Sequence, residues 1–403
     1  MSVSANYPTI RPSLLLDFAN TQRLDPRITF TRTTTATYYD ANGVLQTAAS
    51  GVARFDHNPT TGESLGLLVE EQRTNINTNS ANFTTWSKVN TTVTGNTAVA
   101  PDGTTTADTV AANLGSNTTY IRKDFSGLVN GQQYTISFFV KNINSSGFWA
   151  RILNLDGSAN TSVFPNIQTS GSDSGTGWTR VSVGNGWYRI FITVTANATA
   201  GFRFYWYPSG GIDNGQSVYL WGAQLEEGAF PTSYIATTSA TVTRNADEAS
   251  MTGTNFSSWF NNAEGTMYVQ SGPSSPVANI GQISLTFNDG GSNNRMYVGK
   301  KFDSTTVTEF GVTTGGTGQA FVLSTPTASM TNFKLAAAYR LNDFASVASG
   351  GAVGTDALGT VPVVNQLLLG RIGTSSDFLN GTIRKIAYYP IRVTDAQLQA
   401  LTS

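Results

Sequence analysis

The chain of 403 residues has a formal net charge of −1, and only 12% of its residues are charged, against about 25% in an ordinary soluble domain. Its length indicates two or three domains, and its hydrophobic content of 39% provides for packed cores and excludes a disordered chain. The absence of cysteine excludes disulfides, thiolate zinc sites and cysteine nucleophiles, and a near-neutral charge without a basic stripe gives no support to nucleic-acid binding.

Residues 1–77 form the first predicted part, a small β segment. Residues 1–20 lack a basic region followed by a long apolar stretch, so we expect no signal peptide and synthesis in a cytoplasm. Apolar runs such as Leu14–Leu16 are far too short for membrane insertion. Glu70-Glu71 is an adjacent carboxylate pair, but neighbours on a strand point to opposite faces, so the pair does not face a common substrate.

This part concentrates arginines and carboxylates in a chain that is otherwise poor in charge. Bidentate pairs of these groups suit specific protein contacts, which predicts an attachment or oligomerisation segment. An internal ion-pair network that braces a small β module is the alternative. The residues are Arg23, Asp25, Arg27, Arg32, Arg54, Asp56, Glu70, Glu71 and Arg73.

The single histidine, His57, also lies in this part. A Ser-His-Asp triad would have to use it, but the surrounding ARFDHNPTTGE is rich in turn residues and favours a solvated or capping histidine. We therefore expect that the protein is not an enzyme. A polysaccharide depolymerase is an alternative.

Residues 78–250 form the second predicted part, a β-sandwich rich in aromatic residues. Alternating or β-branched runs predict four strands: Tyr134–Val140, Trp187–Val194, Phe202–Tyr207 and Val218–Trp221. Glu226-Glu227 follows the last of these runs, and its two carboxylates are also expected on opposite faces. The polar stretch Thr237–Gly253 is interpreted as the connector to the third part.

The run FRFYWY in the second part has two different faces. Phe202, Phe204 and Trp206 share one face, which predicts core packing, while Arg203, Tyr205 and Tyr207 share a partly wet face. Aromatic rings can stack on sugars, so the second face is a candidate for glycan binding, as are the rings of Trp149 and Trp178 beside Gly/Ser loops. Core or subunit-interface packing is the alternative for each residue.

Residues 251–403 form the third predicted part, a second and less aromatic sandwich. Its predicted strands are Ile283–Phe287, Arg295–Val298, Phe333–Tyr339, Leu367–Leu369 and Ile383–Tyr389. Only Thr394–Thr402 has the start signal and leucine spacing of a helix. The fold class is therefore predicted as all-β, with two sandwiches behind a small N-terminal β segment.

No cofactor is predicted, but a structural calcium ion is left open. Calcium takes six to eight oxygen ligands, many of them from the backbone. The alternative for each candidate is an Asx-turn or a surface carboxylate. The candidates are Asp102, Asp108 and Glu226 in the first sandwich, and Asp289 with Asn294 in the second.

Three stretches carry a resemblance to bacteriophage particle proteins. LLDFANTQRLDPRITFTRTTTATYYDANGVLQTAASGVARFDHNP from Leu15, with GLLVEEQRTN at Gly66–Asn75, resembles the N-terminal segment of tail-fibre, head-fibre and related proteins. NFTTW at Asn82–Trp86 through VYLWGAQLEEGAFPTSYI at Val218–Ile235 is similar to a carbohydrate-binding-module-like jelly roll. GTMYVQ at Gly265–Gln270 through GTIRKIAYYPIRVTDAQLQAL resembles a concanavalin-like or laminin-G-like sandwich.

The resemblance implies a virion surface protein, such as a fibre, spike or capsid decoration, made in the host cytoplasm. Its partners would be other virion proteins of the capsid, portal or tail, and host or environmental glycans. It would form a homo-oligomer, with trimers common among such fibres, and repeated copies would raise avidity for a weakly bound sugar. A cement protein without glycan binding is a further alternative.

Overall fold

The computed structural model describes residues 7–113, 115, 118–145, 147–161, 177–208, 215–274, 281–302, 307–324, 332–373 and 377–403. Antiparallel β-sheets dominate these residues, and the predicted all-β class with two sandwiches is confirmed. Within the same ranges, no helix has the length and apolarity to cross a membrane.

The elements follow one another in three groups. The first is β1 (Leu14–Asp17), α1 (Phe18–Thr21), β2 (Thr29–Thr31), β3 (Ala36–Tyr39), β4 (Leu45–Ala48), β5 (Arg54–His57), β6 (Ser64–Val69) and β7 (Arg73–Asn75). The second, after a 3-10 turn at Phe83–Thr85, is β8 (Ser87–Val89), β9 (Thr91–Ala98), β10 (Ala107–Ala112), β11 (Tyr120–Ser126), β12 (Gln133–Asn142), β13 (Trp149–Asn154), β14 (Ala159–Thr161), β15 (Thr179–Ser182), β16 (Trp187–Thr195), β17 (Gly201–Tyr207) and β18 (Ser217–Glu227). The third is β19 (Val242–Arg244), β20 (Glu248–Thr252), α2 (Thr254–Ser257), β21 (Glu264–Ser274), β22 (Gln282–Asn288), β23 (Arg295–Lys300), β24 (Thr308–Thr314), β25 (Thr317–Ser324), β26 (Phe333–Arg340), β27 (Asp343–Ala348), β28 (Gly354–Asp356), β29 (Gln366–Leu369), β30 (Gly381–Tyr389) and α3 (Asp395–Thr402).

The second group of strands forms the smaller sandwich. One sheet has the order β15-β16-β12-β18-β10-β9, and the other has the order β14-β13-β17-β11-β8. Buried side chains from both sheets meet in one core, with Phe138 and Trp206 at its centre. All four strands predicted in this part are present, each extended by one or more residues.

The larger sandwich combines strands from both ends of the chain. One sheet runs β28-β27-β26-β21-β30-β6-β5, with β1 also paired to β30, and the other runs β2-β20-β29-β22-β23-β24-β25. Leu14 and Leu16 of β1 therefore pack in the same core as Ile386 and Tyr388 of β30. The strands β1, β2, β5 and β6 thus share their sheets with the C-terminal part, whereas β3 and β4 form a separate hairpin.

The smaller sandwich is inserted into the larger one through a two-stranded neck. β7 leads into it and β19 leads out, and these two strands pair antiparallel with each other at Asn75–Val242 through Arg73–Arg244. The segment 237–253, interpreted from sequence as a polar connector, therefore supplies one strand of the neck and β20 of the larger sandwich. Ala249 and Met251 on β20 are fully buried.

The hairpin β3–β4 and the helix α3 cover the outer faces of two sheets. Leu45 of the hairpin packs with Phe139, Trp187 and Trp221 on the outer side of the six-stranded sheet. The predicted helix is confirmed: a capping box at Thr394 starts it, and its leucines pack on the eight-stranded sheet. The short turns α1 and α2 were not predicted.

Candidate functional site

The outer face of the five-stranded sheet follows from alternation along β17. Phe202, Phe204 and Trp206 are at most 2% exposed and belong to the core. The alternate residues of the strand point to the other side of the sheet and are half-buried. The division of this run into a core face and a partly wet face is thus confirmed.

The neighbouring strands extend this face into three rows of three side chains. Strand register places Tyr205 between Arg122 of β11 and Arg151 of β13. Arg203 lies in the next row between Asp124 and Leu153. We call this surface the aromatic face; its residues are Tyr120, Arg122, Asp124, Trp149, Arg151, Leu153, Arg203, Tyr205 and Tyr207. With ordinary strand geometry it measures about 10 Å across the strands and about 14 Å along them.

Four aromatic rings cluster at one end of the aromatic face. Tyr205 and Tyr207 are stacked, with ring centroids 6.2 Å apart and an interplanar angle of 19°. Tyr120 meets both edge-on, at 5.0 and 5.6 Å, and Trp149 meets Tyr207 at 6.3 Å. Rings in such mutual contact hold one another in fixed orientations. The cluster is therefore a preformed and partly accessible aromatic platform.

Arginines fix the polar part of the face. Arg203 donates two hydrogen bonds to Asp124, at 3.0 and 2.9 Å, which lowers the pKa of Asp124 and raises that of Arg203. Burial raises the pKa of Tyr207, although Arg151, which hydrogen-bonds its hydroxyl, acts in the opposite direction. The tyrosine hydroxyl is thus neutral near pH 7 and can both donate and accept hydrogen bonds.

One predicted member does not belong to this face. Trp178 is 5% exposed and packs in the core against Phe138 and Phe204, with ring centroids 5.9 and 6.3 Å away. The expectation that its ring is exposed beside the loop is therefore wrong. Apolar packing inside the sandwich takes precedence over the neighbouring Gly/Ser sequence.

Several arginines and carboxylates of the first predicted part form buried ion pairs inside the protein. Asp247, which precedes β20, accepts a hydrogen bond from Arg32 at 2.7 Å and another from Arg54, and all three side chains are fully buried. Arg54 also pairs with Glu70 at 2.8 Å, and Arg244 of the neck lies 3.6 Å from Glu70. We call Arg32, Arg54, Glu70, Arg244 and Asp247 the ion cluster. For Arg32, Arg54 and Glu70, the structure thus corresponds to the alternative of an internal network.

The electrostatics of the ion cluster depend on this pairing. Burial would raise the pKa of Glu70, but Arg244 and Arg54 outweigh it and bring the pKa to about 2. Asp56 lies close by, and burial raises its pKa to about 6, although the backbone N–H of Tyr39 and the charge of Arg54 act in the opposite direction. Glu70 also accepts hydrogen bonds from the backbone and hydroxyl of Ser233, which follows β18. The cluster therefore ties the inserted sandwich to the larger one.

The remaining residues of the predicted attachment segment are more accessible. Arg23 is exposed, and Asp25 and Arg27 form a partly exposed pair at 2.9 Å. Glu71 pairs with Arg73 and also accepts a hydrogen bond from Asn380 of the C-terminal part. Arg23 therefore presents the most charged surface for a partner, and Asp25, Arg27 and Glu71 present less. An attachment role for these residues stays a prediction.

The groups considered for catalysis are apart from the aromatic face. His57 is 4% exposed, and its Nδ1 lies 3.0 Å from the carbonyl oxygen of Tyr39. Glu226 is fully buried while Glu227 is exposed, so this carboxylate pair does point to opposite sides.

The calcium candidates use their carboxylate oxygens in hydrogen bonds within the chain. Asp102 accepts from Thr104, and Asp108 accepts from the backbone of Phe83 and Asn96. Glu226 accepts from Gln224 and Thr232, and Asp289 accepts from Gly291 and Asn294. In the described ranges, no three His, Asp or Glu side chains come together in a way that could hold a metal ion. Structural calcium stays a prediction.

Four polar or aromatic members of the aromatic face were not predicted from the sequence. Tyr120, Arg122 and Asp124 alternate with Ile121 and Phe125 along β11, and this alternation was the available signal. Arg151 follows Trp149 by two residues on β13, so both point to the same side.

Arg244 and Asp247 of the ion cluster were not predicted either, because charged residues in a polar stretch of sequence give no sign of burial.

Comparison with known proteins finds solved structures that resemble parts of this chain at low similarity. No family model matches the chain, and no curated protein sequence matches it. The CBM40 domain of Ruminococcus gnavus IT-sialidase bound to α2,3-sialyllactose is 15% identical, with 36% of this chain and 84% of that one covered and a TM-score of 0.31. Domain 4 of AbnA, a GH43 extracellular arabinanase from Geobacillus stearothermophilus, in complex with arabinotriose, is 11% identical, with 43% and 82% covered and a TM-score of 0.30. Domains LG4-5 of the mouse laminin α1 chain are 10% identical, with 68% and 85% covered and a TM-score of 0.24.

Proposed function

We propose that the protein binds glycans through the aromatic face and is not an enzyme. The observation that carries this proposal is the preformed cluster of Tyr120, Trp149, Tyr205 and Tyr207 beside three arginines and an aspartate. Aromatic rings offer flat apolar surfaces to the C–H faces of sugars, while guanidinium, carboxylate and hydroxyl groups hydrogen-bond the sugar hydroxyls. Few mobile side chains have to be ordered on binding, which limits the entropic cost.

We further propose that this glycan-binding protein acts on the surface of a phage particle as a fibre, spike or decoration. The resemblance of residues 15–75 to the N-terminal segment of such proteins supports this role. The exposed Arg23 and the partly exposed pair of Asp25 and Arg27 fit an attachment contact with another virion protein or with a further copy of the chain. A homo-oligomer would present several aromatic faces to one glycan surface and raise avidity.

A glycan array with the purified protein, followed by calorimetry on the best ligand, tests the glycan-binding proposal. Tyr205→Ala and Tyr207→Ala should each weaken binding at least about fivefold, corresponding to roughly 1 kcal/mol of lost ring contact. Phe321→Ala is a matched control, because this ring is 55% exposed on β25 of the larger sandwich, far along the chain from the face. It should leave the affinity unchanged.

Three results would contradict the proposal. Binding that survives both tyrosine substitutions would place the ligand elsewhere. A face that another virion protein covers in the assembled particle, together with no bound glycan on the array, would favour the purely structural cement role. New reducing ends after incubation with a host polysaccharide would indicate a depolymerase.

A further inference from the structure

The aromatic face carries an excess of positive charge that the rest of the chain does not share. On the outward sides of β11, β13 and β17 there are three arginines and one aspartate, whereas the whole chain has a net charge of −1. The only lysine on these strands, Lys123, points to the opposite side, where its Nζ lies over the Trp86 and Phe125 rings. The excess is therefore a local property of this surface.

The three arginines are not equivalent. Arg203 is held by both carboxylate oxygens of Asp124, so its charge is largely compensated. Arg122 and Arg151 lie in the next row on either side of Tyr205, about 10 Å apart at ordinary strand spacing. Arg122 is half-buried, and in the part of the chain that the structure describes no carboxylate forms an ion pair with it. A ligand lying over Tyr205 would have a guanidinium on each side.

We infer that the glycan bound by this face is anionic and carries carboxylate or sulfate groups on its sugars. This inference rests on the proposed function of the same face. A planar guanidinium presents two parallel N–H donors, which match the two oxygens of a carboxylate or sulfate better than they match a single hydroxyl. The sugar ring stacks on Tyr205 and Tyr207 while its acidic substituent reaches Arg122 or Arg151.

Calorimetry with pairs of oligosaccharides, one acidic and one neutral in each pair, tests this inference by measuring the affinity for each. Uronic-acid and sialic-acid oligosaccharides are compared with their carboxyl-reduced forms, and sulfated oligosaccharides with their desulfated forms, so that the two sources of negative charge are separated. We expect at least one acidic form to bind about tenfold or more tighter than its neutral partner, as is typical for a hydrogen bond to a charged group. The difference should shrink as salt is raised, because the arginines are partly exposed.

Variants identify the arginines concerned. Arg122→Gln and Arg151→Gln are tested separately, and at least one of them should abolish most of the preference for the acidic form. A lysine at the same position should restore only part of it. Arg340→Gln is the matched control, since this side chain is 55% exposed on the larger sandwich. Unchanged thermal unfolding of each variant shows that the fold is retained.

The outcomes separate the inference from the proposed function. Equal affinity for acidic and neutral partners, with continued dependence on Tyr205, would overturn the inference and leave glycan binding in place. A preference for acidic sugars that survives both glutamine substitutions would also overturn it. Binding of neither form, with no effect of the tyrosine variants on any glycan, would overturn both.

Discussion

Asp247→Asn is expected to destabilise the protein strongly, because its carboxylate compensates two buried arginines. Asp247 is 0% exposed; it accepts from Arg32 and Arg54, and one of its oxygens also accepts from the Glu70 backbone at 3.0 Å. In the variant, Glu70 would be the only carboxylate left among the members of the ion cluster to compensate its three arginines, and an amide N–H would point at other donors. Removing one partner of a buried ion pair costs about 3–5 kcal/mol, and we expect a loss in this range.

Urea denaturation followed by circular dichroism measures this loss, since urea does not screen charges. Asp25→Asn is the control: its pair with Arg27 is 22–33% exposed and should contribute at most about 1 kcal/mol. If Asp247→Asn lowered the free energy of unfolding no more than Asp25→Asn does, the carboxylate of Asp247 would not be what stabilises the buried arginines.

Three further predictions concern stability. The pKa of Asp56 is raised to about 6 from 3.8, so the protonated carboxyl stabilises the fold below about pH 4 and this stabilisation is lost as the pH rises through 6. Asp56→Asn should therefore flatten the dependence of the melting temperature on pH between 4 and 6. A melting profile that the substitution leaves unchanged would refute the raised pKa. Trp206→Ala removes a fully buried ring whose centroid lies 4.6 Å from those of Phe138 and Phe148, and it should lower the free energy of unfolding in urea by about 3–5 kcal/mol. A decrease below about 1 kcal/mol would contradict a tightly packed core. A fragment of residues 251–403 lacks β1, β2, β5 and β6 and should show no cooperative transition in scanning calorimetry. A fragment of residues 76–241 should melt cooperatively. The opposite pattern would contradict a core that the N-terminal and C-terminal strands share.

Alternation along single strands was sufficient to predict the fold class and part of the face. The run from Phe202 to Tyr207 separates large apolar residues from Arg203, Tyr205 and Tyr207, because successive side chains in a strand point to opposite sides. Helix α3 was equally accessible, since a capping threonine and leucine spacing are local signals.

Long-range pairing could not be predicted from the same patterns. Nothing in the local sequence of Leu14–Asp17 indicates that it pairs with β30 more than 360 residues later. Asp247 lies in a polar stretch, and its burial depends on arginines that are distant in sequence. For Trp178 the local sequence was misleading in the opposite direction. Its Gly/Ser neighbours suggested an exposed ring, but the ring packs in the core of the sandwich.

The insertion of one sandwich within the other also has a consequence for biosynthesis. The strands of the smaller sandwich are contiguous in the chain, so it can fold as soon as residue 227 has left the ribosome. The strands β1, β2 and β6 precede the smaller sandwich in the chain, yet their partners β20 and β30 follow it, so their apolar faces wait unpaired while the smaller sandwich is being translated. We expect this interval to be the period in which the nascent chain is most open to aggregation and most dependent on chaperones.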